Sequence, residues 1–394
     1  VRIGIDGSCL ANRRGFGRFA RQLLTALAAA GSGHEFVVFV DGPSADSVAV
    51  PEPFRAVRVD VRQAPSHAAS ARGRRGLGDM LTMGRAVAKE GLDLMFFPAS
   101  YTFFPVWACG RVVVTLHDTL ALAHPELVFP TWRGRLAWTV KEHAAVRWAD
   151  LVLTVSEASR RDVSAWFGLP DAKVRVVGEG PAEVFRPIPA GPDSDSAQRR
   201  HGLDTGERYL LYVGGLSPHK NLPRLIEAFA RVEARDVRLV LVGDLGDVFH
   251  THVPALREAV ARHGLERRVT LAGFVPDTDL VHLYNRAVAL VQPSLLEGFG
   301  LPAVEAMACG TPVLSSRAGS LPEVVGDGGL FFEPTDEGAI VGAIRAVLAN
   351  PGLRAELSRK ALAQAGRHTW DAAARALLAC FEELRPGRAL GRSA

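Results

Sequence analysis

The residues best placed to do chemistry lie in Gln292-Pro293-Ser294-Leu295-Leu296-Glu297-Gly298-Phe299-Gly300-Leu301-Pro302-Ala303-Val304-Glu305-Ala306-Met307-Ala308-Cys309-Gly310-Thr311-Pro312. An apolar run ends at Gln292, and the Gly-Phe-Gly turn that follows lets backbone N–H groups come close to a ligand. Pro302 then opens a helix where proline is favoured. The N-terminus of such a helix suits a phosphate. Glu297 precedes the turn and Glu305 sits in the first turns of the helix, so two carboxylates bracket one backbone cradle and can accept hydrogen bonds from ligand hydroxyls. Gly310 ends the helix. A solvated Gly/Pro turn accounts for either glutamate alone but not for the combined spacing.

A second turn, Tyr212-Val213-Gly214-Gly215-Leu216-Ser217-Pro218-His219-Lys220-Asn221-Leu222, precedes an amphipathic stretch from Pro223 to Ala234. A lone loop lysine is usually solvated, but Lys220 stands on a strand-turn-helix junction, where a fixed cation can meet an anionic leaving group. The run Val113-Val114-Thr115-Leu116-His117-Asp118-Thr119 ends a buried strand in a His-Asp pair. Such a histidine is either a hydrogen-bonded structural group or a site residue, and its place at a strand's carboxyl end favours the site. Asn12-Arg13-Arg14-Gly15-Phe16-Gly17-Arg18-Phe19 leads into a helix through about Ala30. It lacks the Gly-x-Gly-x-x-Gly spacing of a dinucleotide fingerprint, which argues against a nicotinamide enzyme. Gly243-Asp244 and Gly273-Phe274-Val275-Pro276 end two further strands, and Ser156 in Val155-Ser156-Glu157-Ala158-Ser159 reads as a structural N-cap.

These turns need a scaffold that presents them together. Arg2 to Asp6, Glu35 to Val40, Leu92 to Pro98, Arg111 to His117 and Asp150 to Val155 read as strands. They are continuous apolar runs separated by helical patterns, which predicts a parallel sheet covered on both faces. The four prolines of Pro181 to Pro192 block helix and mark a linker, continued by the polar Asp193 to Ser196. The alternation then restarts with Tyr209 to Val213, Arg238 to Val242, Val269 to Gly273, Ala289 to Gln292, Pro312 to Ser315 and Leu330 to Phe332. We therefore expect two Rossmann-like domains, 1–185 and 197–368, facing each other across a cleft, with ligands at the carboxyl ends of the strands. An amphipathic stretch from Ala372 to Leu384, capped by Thr369 or Asp371, predicts a last helix within 369–386, before a Gly/Arg-rich tail from Gly387.

Composition narrows the class. No apolar run approaches the roughly 18–20 residues of a membrane span, and the N-terminus opens directly into a strand, so a cytoplasmic protein is expected. Cys9, Cys109, Cys309 and Cys380 form neither a disulfide spacing nor a zinc motif. Residues 1–190 carry 23 Lys plus Arg against 18 Asp plus Glu, and the remainder 23 against 24. The basic half includes Arg72-Gly73-Arg74-Arg75 and the Trp/Arg/Lys stretch from Pro130 to Lys141. That stretch reads as core-facing tryptophans with solvated charges, with peripheral contact with an anionic membrane as the alternative. No module or aromatic-basic code for nucleic acid is present.

The segment around Glu297 and Glu305 resembles the Glu-x7-Glu motif of family 4 glycosyltransferases, retaining enzymes of the GT-B architecture. The likeness runs in order through the N-terminal glycine loop, His117-Asp118, the linker, the Lys220 turn, the Glu-x7-Glu segment and the Trp370 helix. It implies that the last helix crosses back to the first domain. It also implies that Glu297 contacts the donor sugar, that the backbone of Phe299, Gly300 and Leu301 meets sugar and diphosphate, and that Glu305 holds the ribose. By the same resemblance the Gly215–Lys220 turn neutralises the diphosphate, Phe274 and Val275 meet the base, and Gly15 abuts the donor phosphate. His117 lies beside the donor sugar, while Asp118 and Arg18 face the acceptor. The catalytic set is then His117, Glu297 and Lys220, with no metal or other cofactor, and neither His117 nor Asp118 need be a general base, since the leaving phosphate can take the acceptor proton in a front-face retaining mechanism.

One departure stands out. The family commonly has an Arg as well as the Lys on the diphosphate turn, and here Gly215 or His219 occupies its place, with His219 and Arg224 as the candidate substitutes. His117-Asp118 followed by Ala123-His124-Pro125-Glu126-Leu127 is similar to the mannosyl and rhamnosyl branch that builds cell-surface polysaccharides. The resemblance thus implies transfer of a hexose, GDP-linked first, from a nucleoside diphosphate sugar to a glycan, lipid-linked glycan or small-molecule hydroxyl. A GT-B epimerase or a non-catalytic sugar-nucleotide binder remains as alternative; a phosphorylase would need a pyridoxal-phosphate lysine site that is not evident.

Overall fold

The computed structural model describes residues 1–12, 14–62, 76–129, 131–246 and 252–385. The chain divides into two compact units, Val1–Glu179 with the segment from Trp370, and Gly180–Thr369. The basic Arg72–Arg75 run and the Gly/Arg tail lie outside the described residues.

The first unit is built on strands β1 (Arg2–Asp6), β2 (Glu35–Asp41), β3 (Arg55–Val59), β4 (Leu94–Phe97), β5 (Arg111–Thr115), β6 (Leu151–Thr154) and β7 (Val174–Val176). They form one parallel sheet in the order β3-β2-β1-β4-β5-β6-β7. Its helices are α1 (Gly15–Ala30), α2 (Leu77–Ala88), the short α3 (Leu120–Ala123), α4 (Trp132–Trp148) and α5 (Glu157–Phe167). Residues from α2, α4 and α5 pack with those of the strands in one core that includes Phe39, Met83, Phe97, Val114, Val146 and Val163. Two strands escape the sequence reading. β3 is mostly exposed and carries two arginines, and β7 is three residues long, so neither shows the apolar run of a doubly covered strand.

The second unit holds β8 (Arg208–Val213), β9 (Val237–Val242), β10 (Val269–Gly273), β11 (Ala289–Gln292), β12 (Val313–Ser316) and β13 (Gly329–Phe332), ordered β10-β9-β8-β11-β12-β13 and again parallel. Around them lie α6 (Pro192–Arg200), α7 (Leu222–Ala230), α8 (Val253–Arg262), α9 (Asp277–Arg286), α10 (Leu301–Ala308), α11 (Leu321–Val325), α12 (Glu337–Ala349) and α13 (Pro351–Ala365). The polar stretch after Pro192, read from sequence as linker, is helix α6. Pro192 sits in its first turn with Asp193 and Asp195, and Arg199 and Arg200 in its last, the arrangement the helix dipole favours.

The last helix, α14 (Trp370–Glu383), starts two residues before the expected Ala372 and belongs to the first unit. Trp370 meets Phe19 of α1 edge-on, and Phe381 lies against Phe36 and Phe96. The return of this helix to the first unit is therefore as expected.

In both sheets the strand order reverses between two neighbours, β1 beside β4 and β8 beside β11. Loops leaving their carboxyl ends diverge there and leave a crevice.

Candidate active site

In the second unit the turns singled out from sequence leave adjacent strands. β8 pairs with β11, so the Gly214–Asn221 loop and the Pro293–Gly300 loop start side by side although about eighty residues separate them. Backbone and side chains then bolt the two together. Leu295 N–H donates to the His219 carbonyl at 2.8 Å. Asn221 adopts a left-handed φ of 60° and its amide donates to the carbonyls of Pro293 at 3.0 Å and Pro334 at 2.7 Å.

This frame brings Lys220 and Glu297 into contact. Glu297 Oε1 accepts from Lys220 Nζ at 2.6 Å, Ser294 Oγ at 2.7 Å and Gln292 Nε2 at 2.8 Å, with both members of the ion pair largely buried. Burial pushes the Glu297 carboxyl up, but the Lys220 ammonium and these donors outweigh it and hold the group below the usual carboxylate range. The Glu297 carbonyl is fixed from β12's loop by Ser320 N–H at 3.1 Å, and Ser320 Oγ donates to Phe299 O at 2.8 Å. Gly319, at φ 56°, leaves no room for a side chain, since a Cβ there would lie 2.3 Å from the Glu297 carbonyl oxygen. Phe299, Gly300 and Leu301 form the turn into α10, with Gly300 left-handed at φ 98° as its N-cap.

Glu305 is buried on α10, and Tyr284 Oη donates to its Oε2 at 3.0 Å. After β10, Gly273 turns at φ 71°, leaving Phe274 61% exposed and Val275 buried. Neither candidate for the absent arginine fills its place cleanly. Burial holds His219 down to about 3, with the Lys220 charge beside it adding to the effect, so its imidazole is neutral at physiological pH and cannot supply the second charge. Arg224 is committed to its own unit's backbone and amides, donating to Asn221 Oδ1 at 3.1 Å and Pro334 O at 3.4 Å.

In the first unit β1, β4 and β5 are neighbours, and their carboxyl-end loops gather around His117. Phe16 and Phe19 of α1 meet its ring edge-on with centroids 4.8 and 4.7 Å away, and Phe16 also contacts Tyr101. His117 Nε2 lies 3.0 Å from Pro98 O, Nδ1 lies 3.4 Å from Glu179 Oε1, and its carbonyl accepts from Ser159 Oγ at 2.8 Å. Ser156 caps α5 by accepting from Ser159 N–H at 3.0 Å, so the Ser-Glu-Ala-Ser turn is structural in a specific way: it ties α5 to the His-Asp strand end. Asp118 Oδ1 accepts from Leu120 N–H at 2.8 Å and turns the chain into α3. Close by, Glu142 is buried with Ser100 Oγ donating at 2.8 Å; burial raises its carboxyl against the lowering effects of Lys141 and Ser100.

Gly15 opens α1 and is exposed, with nothing within 4 Å of a Cβ built on it, while Arg18 lies one turn on and is half-buried. The glycine that packing demands is Gly17, where a Cβ would lie 1.8 Å from the Asn12 carbonyl oxygen. Sequence reasoning missed Gln292, Ser294, Tyr284, Ser320 and Glu179. The first two stand inside the quoted motif; Tyr284 lies on α9, and Ser320 and Glu179 stand on the segments that follow β12 and β7.

The tryptophans of the basic stretch depart from their core-facing reading. Along α4 the i, i+4 ridge of Trp132, Leu136, Val140, Ala144 and Trp148 is exposed, Trp132 at 69%, Val140 at 61% and Leu136 at 54%. Trp138 instead is half-buried, packed between Phe129 and Lys141. Arg133, Arg135 and Arg147 flank the ridge, and the only acid on this helix, Glu142, is buried.

Among the described residues no helix is long and apolar enough to cross a membrane, and no group of three or more His, Cys, Asp or Glu is arranged to hold a metal ion. Residues 13–180 match the family described as Glycosyltransferase Family 4, and residues 193–364 the one described as Glycosyl transferases group 1. The chain is 34% identical over 265 residues to O-antigen chain mannosyltransferase B of Escherichia coli, covering 66% of this chain and 67% of that protein. It is 35% identical over 253 residues to D-inositol 3-phosphate glycosyltransferase of Acidothermus cellulolyticus, covering 62% of this chain but only 55% of that one. Sucrose-phosphate synthase from Thermosynechococcus elongatus, 22% identical, superposes with a TM-score of 0.77 over 97% of this chain and 98% of its own, a likeness of fold.

Proposed function

The chain belongs to glycosyltransferase family 4, with the GT-B fold, and on that footing we propose that it moves a hexose, mannose or a related GDP-linked sugar first, from a nucleoside diphosphate sugar to an acceptor hydroxyl. The acceptor is a glycan, a lipid-linked glycan or a small molecule, and transfer retains the anomeric configuration without a metal or other cofactor. The observation that carries this reading is the buried Lys220–Glu297 pair beside the Gly300 turn. A fixed cation and a carboxylate stand on the loop that runs through the Gly300 turn into the N-terminus of α10, and a sugar diphosphate calls for a cation, a hydroxyl acceptor and a helix start of this kind. The preference for mannose rests on the name of the Escherichia coli relative and on the Ala123–Leu127 sequence.

In this reading Lys220 and the N–H groups of the Phe299–Leu301 turn stabilise the departing diphosphate, and Gly215 lets it approach. Glu297 accepts from a sugar hydroxyl, Glu305 from the ribose with Tyr284 behind it, and Phe274 and Val275 flank the base. His117 orients the sugar, Asp118 and Arg18 engage the acceptor, and Gly15 lies against the donor phosphate. The outgoing phosphate oxygen takes the acceptor proton, so no separate general base is required. A thermal-shift screen of GDP, UDP, ADP and dTDP with their sugars tests the reading, since a ligand of the native state raises the melting temperature. A shift with one donor set, slow release of its nucleoside diphosphate and unchanged turnover in EDTA are the expected results. No shift with any of them, or full transfer by Glu297→Ala, overturns the assignment.

We also propose that the α4 ridge rests on an anionic membrane, at the inner face of the cell membrane. Exposed tryptophan, leucine and valine flanked by three arginines, with no exposed acid on the helix, suit the interface of an acidic bilayer. Wild-type protein should sediment with phosphatidylglycerol vesicles and release at high salt, and the Trp132→Ser, Leu136→Ser double variant should not sediment. Equal binding by both proteins overturns the proposal.

A further inference from the structure

β5, β6 and β7 lie side by side, so the carboxyl end of β7 is two strands from that of β5. Gly178, at φ 73°, turns the chain as it leaves β7, and the next residue, Glu179, reaches back across the end of β6 to His117. Both side chains are at most one-tenth exposed. The Pro98 carbonyl can only accept, so His117 Nε2 carries a hydrogen, and Nδ1 faces Glu179 Oε1 at 3.4 Å. With the ring edges against Phe16 and Phe19 and the main-chain carbonyl held by Ser159, Glu179 is the polar side chain that meets Nδ1 and sets the ring's rotation.

We propose that Glu179 is a positioning residue for transfer: it holds His117 in the rotamer and hydrogen pattern that the donor sugar meets, without touching the substrate itself. This rests on the role given to His117 above. A histidine lacking its partner keeps its place in the core but swings about χ2, and misplacement of an orienting group by about 1 Å costs up to roughly a hundredfold in rate.

The test compares Glu179→Ala, Glu179→Gln, His117→Ala and the His117→Ala, Glu179→Ala double variant of the full chain. Readouts are kcat, KM for the donor and the ¹⁵N shifts of the His117 ring, identified by their loss in His117→Ala. Glu179→Ala should lower kcat at least tenfold with donor KM within about twofold and shift the Nδ1 signal. Glu179→Gln, whose amide can donate to Nδ1, should recover most of the rate, and the double variant should be no slower than His117→Ala. Losses that multiply in the double variant, or an Nδ1 signal unmoved in Glu179→Ala, overturn the proposal. Full activity in His117→Ala refutes the site reading instead, and the ring signal then still decides whether Glu179 holds the imidazole. A Glu179→Ala protein that fails to fold leaves Glu179→Gln to decide by its own Nδ1 shift, whose absence overturns the proposal.

Discussion

Replacing Glu297 by Gln keeps the shape and removes the charge at the centre of the second unit. Oε1 now accepts from an ammonium, an amide and a hydroxyl. Hydrogen bonds to a charged group contribute about 1.5–3 kcal/mol against about 0.5–1.5 for neutral ones, so the Ser294 and Gln292 bonds forfeit about 1 kcal/mol each, and the lost counter-charge of Lys220 brings the total to about 3 kcal/mol. That sits at the lower edge of the loss when one partner of a buried ion pair is removed, as fits a variant that still accepts from Lys220. For a unit spanning residues 180–369 this lowers the melting temperature by about 6–12 °C. The same change should tighten nucleoside diphosphate binding, because Lys220 no longer has a carboxylate to leave, while transfer falls by about a hundredfold or more. Because the folded carboxyl titrates below its usual range, the stabilisation is complete above the ordinary carboxylate value. It is lost as pH falls through the folded one, so the gap between wild type and variant should close in acid. Scanning fluorimetry from pH 3.5 to 8, calorimetric titration with GDP and a turnover assay give the three numbers. An unchanged melting temperature together with weaker GDP binding refutes the reasoning.

Gly215→Arg places a guanidinium on the exposed turn that lacks one, and should tighten nucleoside diphosphate binding about tenfold by titration calorimetry, the worth of one charge-assisted bond. His219 stays neutral in the fold down to about 3 while the unfolded chain protonates near 6.5. Its contribution is therefore complete above 6.5 and lost as pH falls from 6.5 towards 3, with a ceiling on the order of 5 kcal/mol. His219→Gln should flatten the stability profile across that window and leave donor affinity at pH 7 unchanged. Gly17→Ala forces a Cβ onto the Asn12 carbonyl and should destabilise the first unit by about 2–3 kcal/mol in denaturant melts. Gly15→Ala should fold normally and raise the donor KM.

What sequence alone revealed, and what it hid, follows from how far each signal reaches along the chain. Gly-x-Gly turns, prolines at helix starts and apolar runs are local, so the ends of β5, β8 and β11, and the side chains of His117, Lys220 and Glu297 placed there, stand out residue by residue. α6 was hidden because its one proline and its acids, following three more prolines, read as a linker, although the same residues at a helix start are favourable. The α4 tryptophans were misread because helical spacing identifies a face without saying which side of it meets the core.

The supporting residues were hidden for a different reason. Ser320 fixes Glu297 and Glu179 reaches His117 through pairings set by strand order, and Tyr284 meets Glu305 where α9 packs on α10, none of which a local window of sequence contains. Strand order also explains why the missing arginine matters less than its absence from the motif suggests. The Lys220 turn and the loop that runs into α10 leave paired strands, and Glu297, three residues before the Gly300 turn, holds Lys220 on that loop whatever occupies positions 215 and 219. Positive potential there comes from a buried lysine and a helix N-terminus together. Losing one guanidinium from such a pair weakens it, whereas losing Lys220 leaves Glu297 buried without its counter-ion.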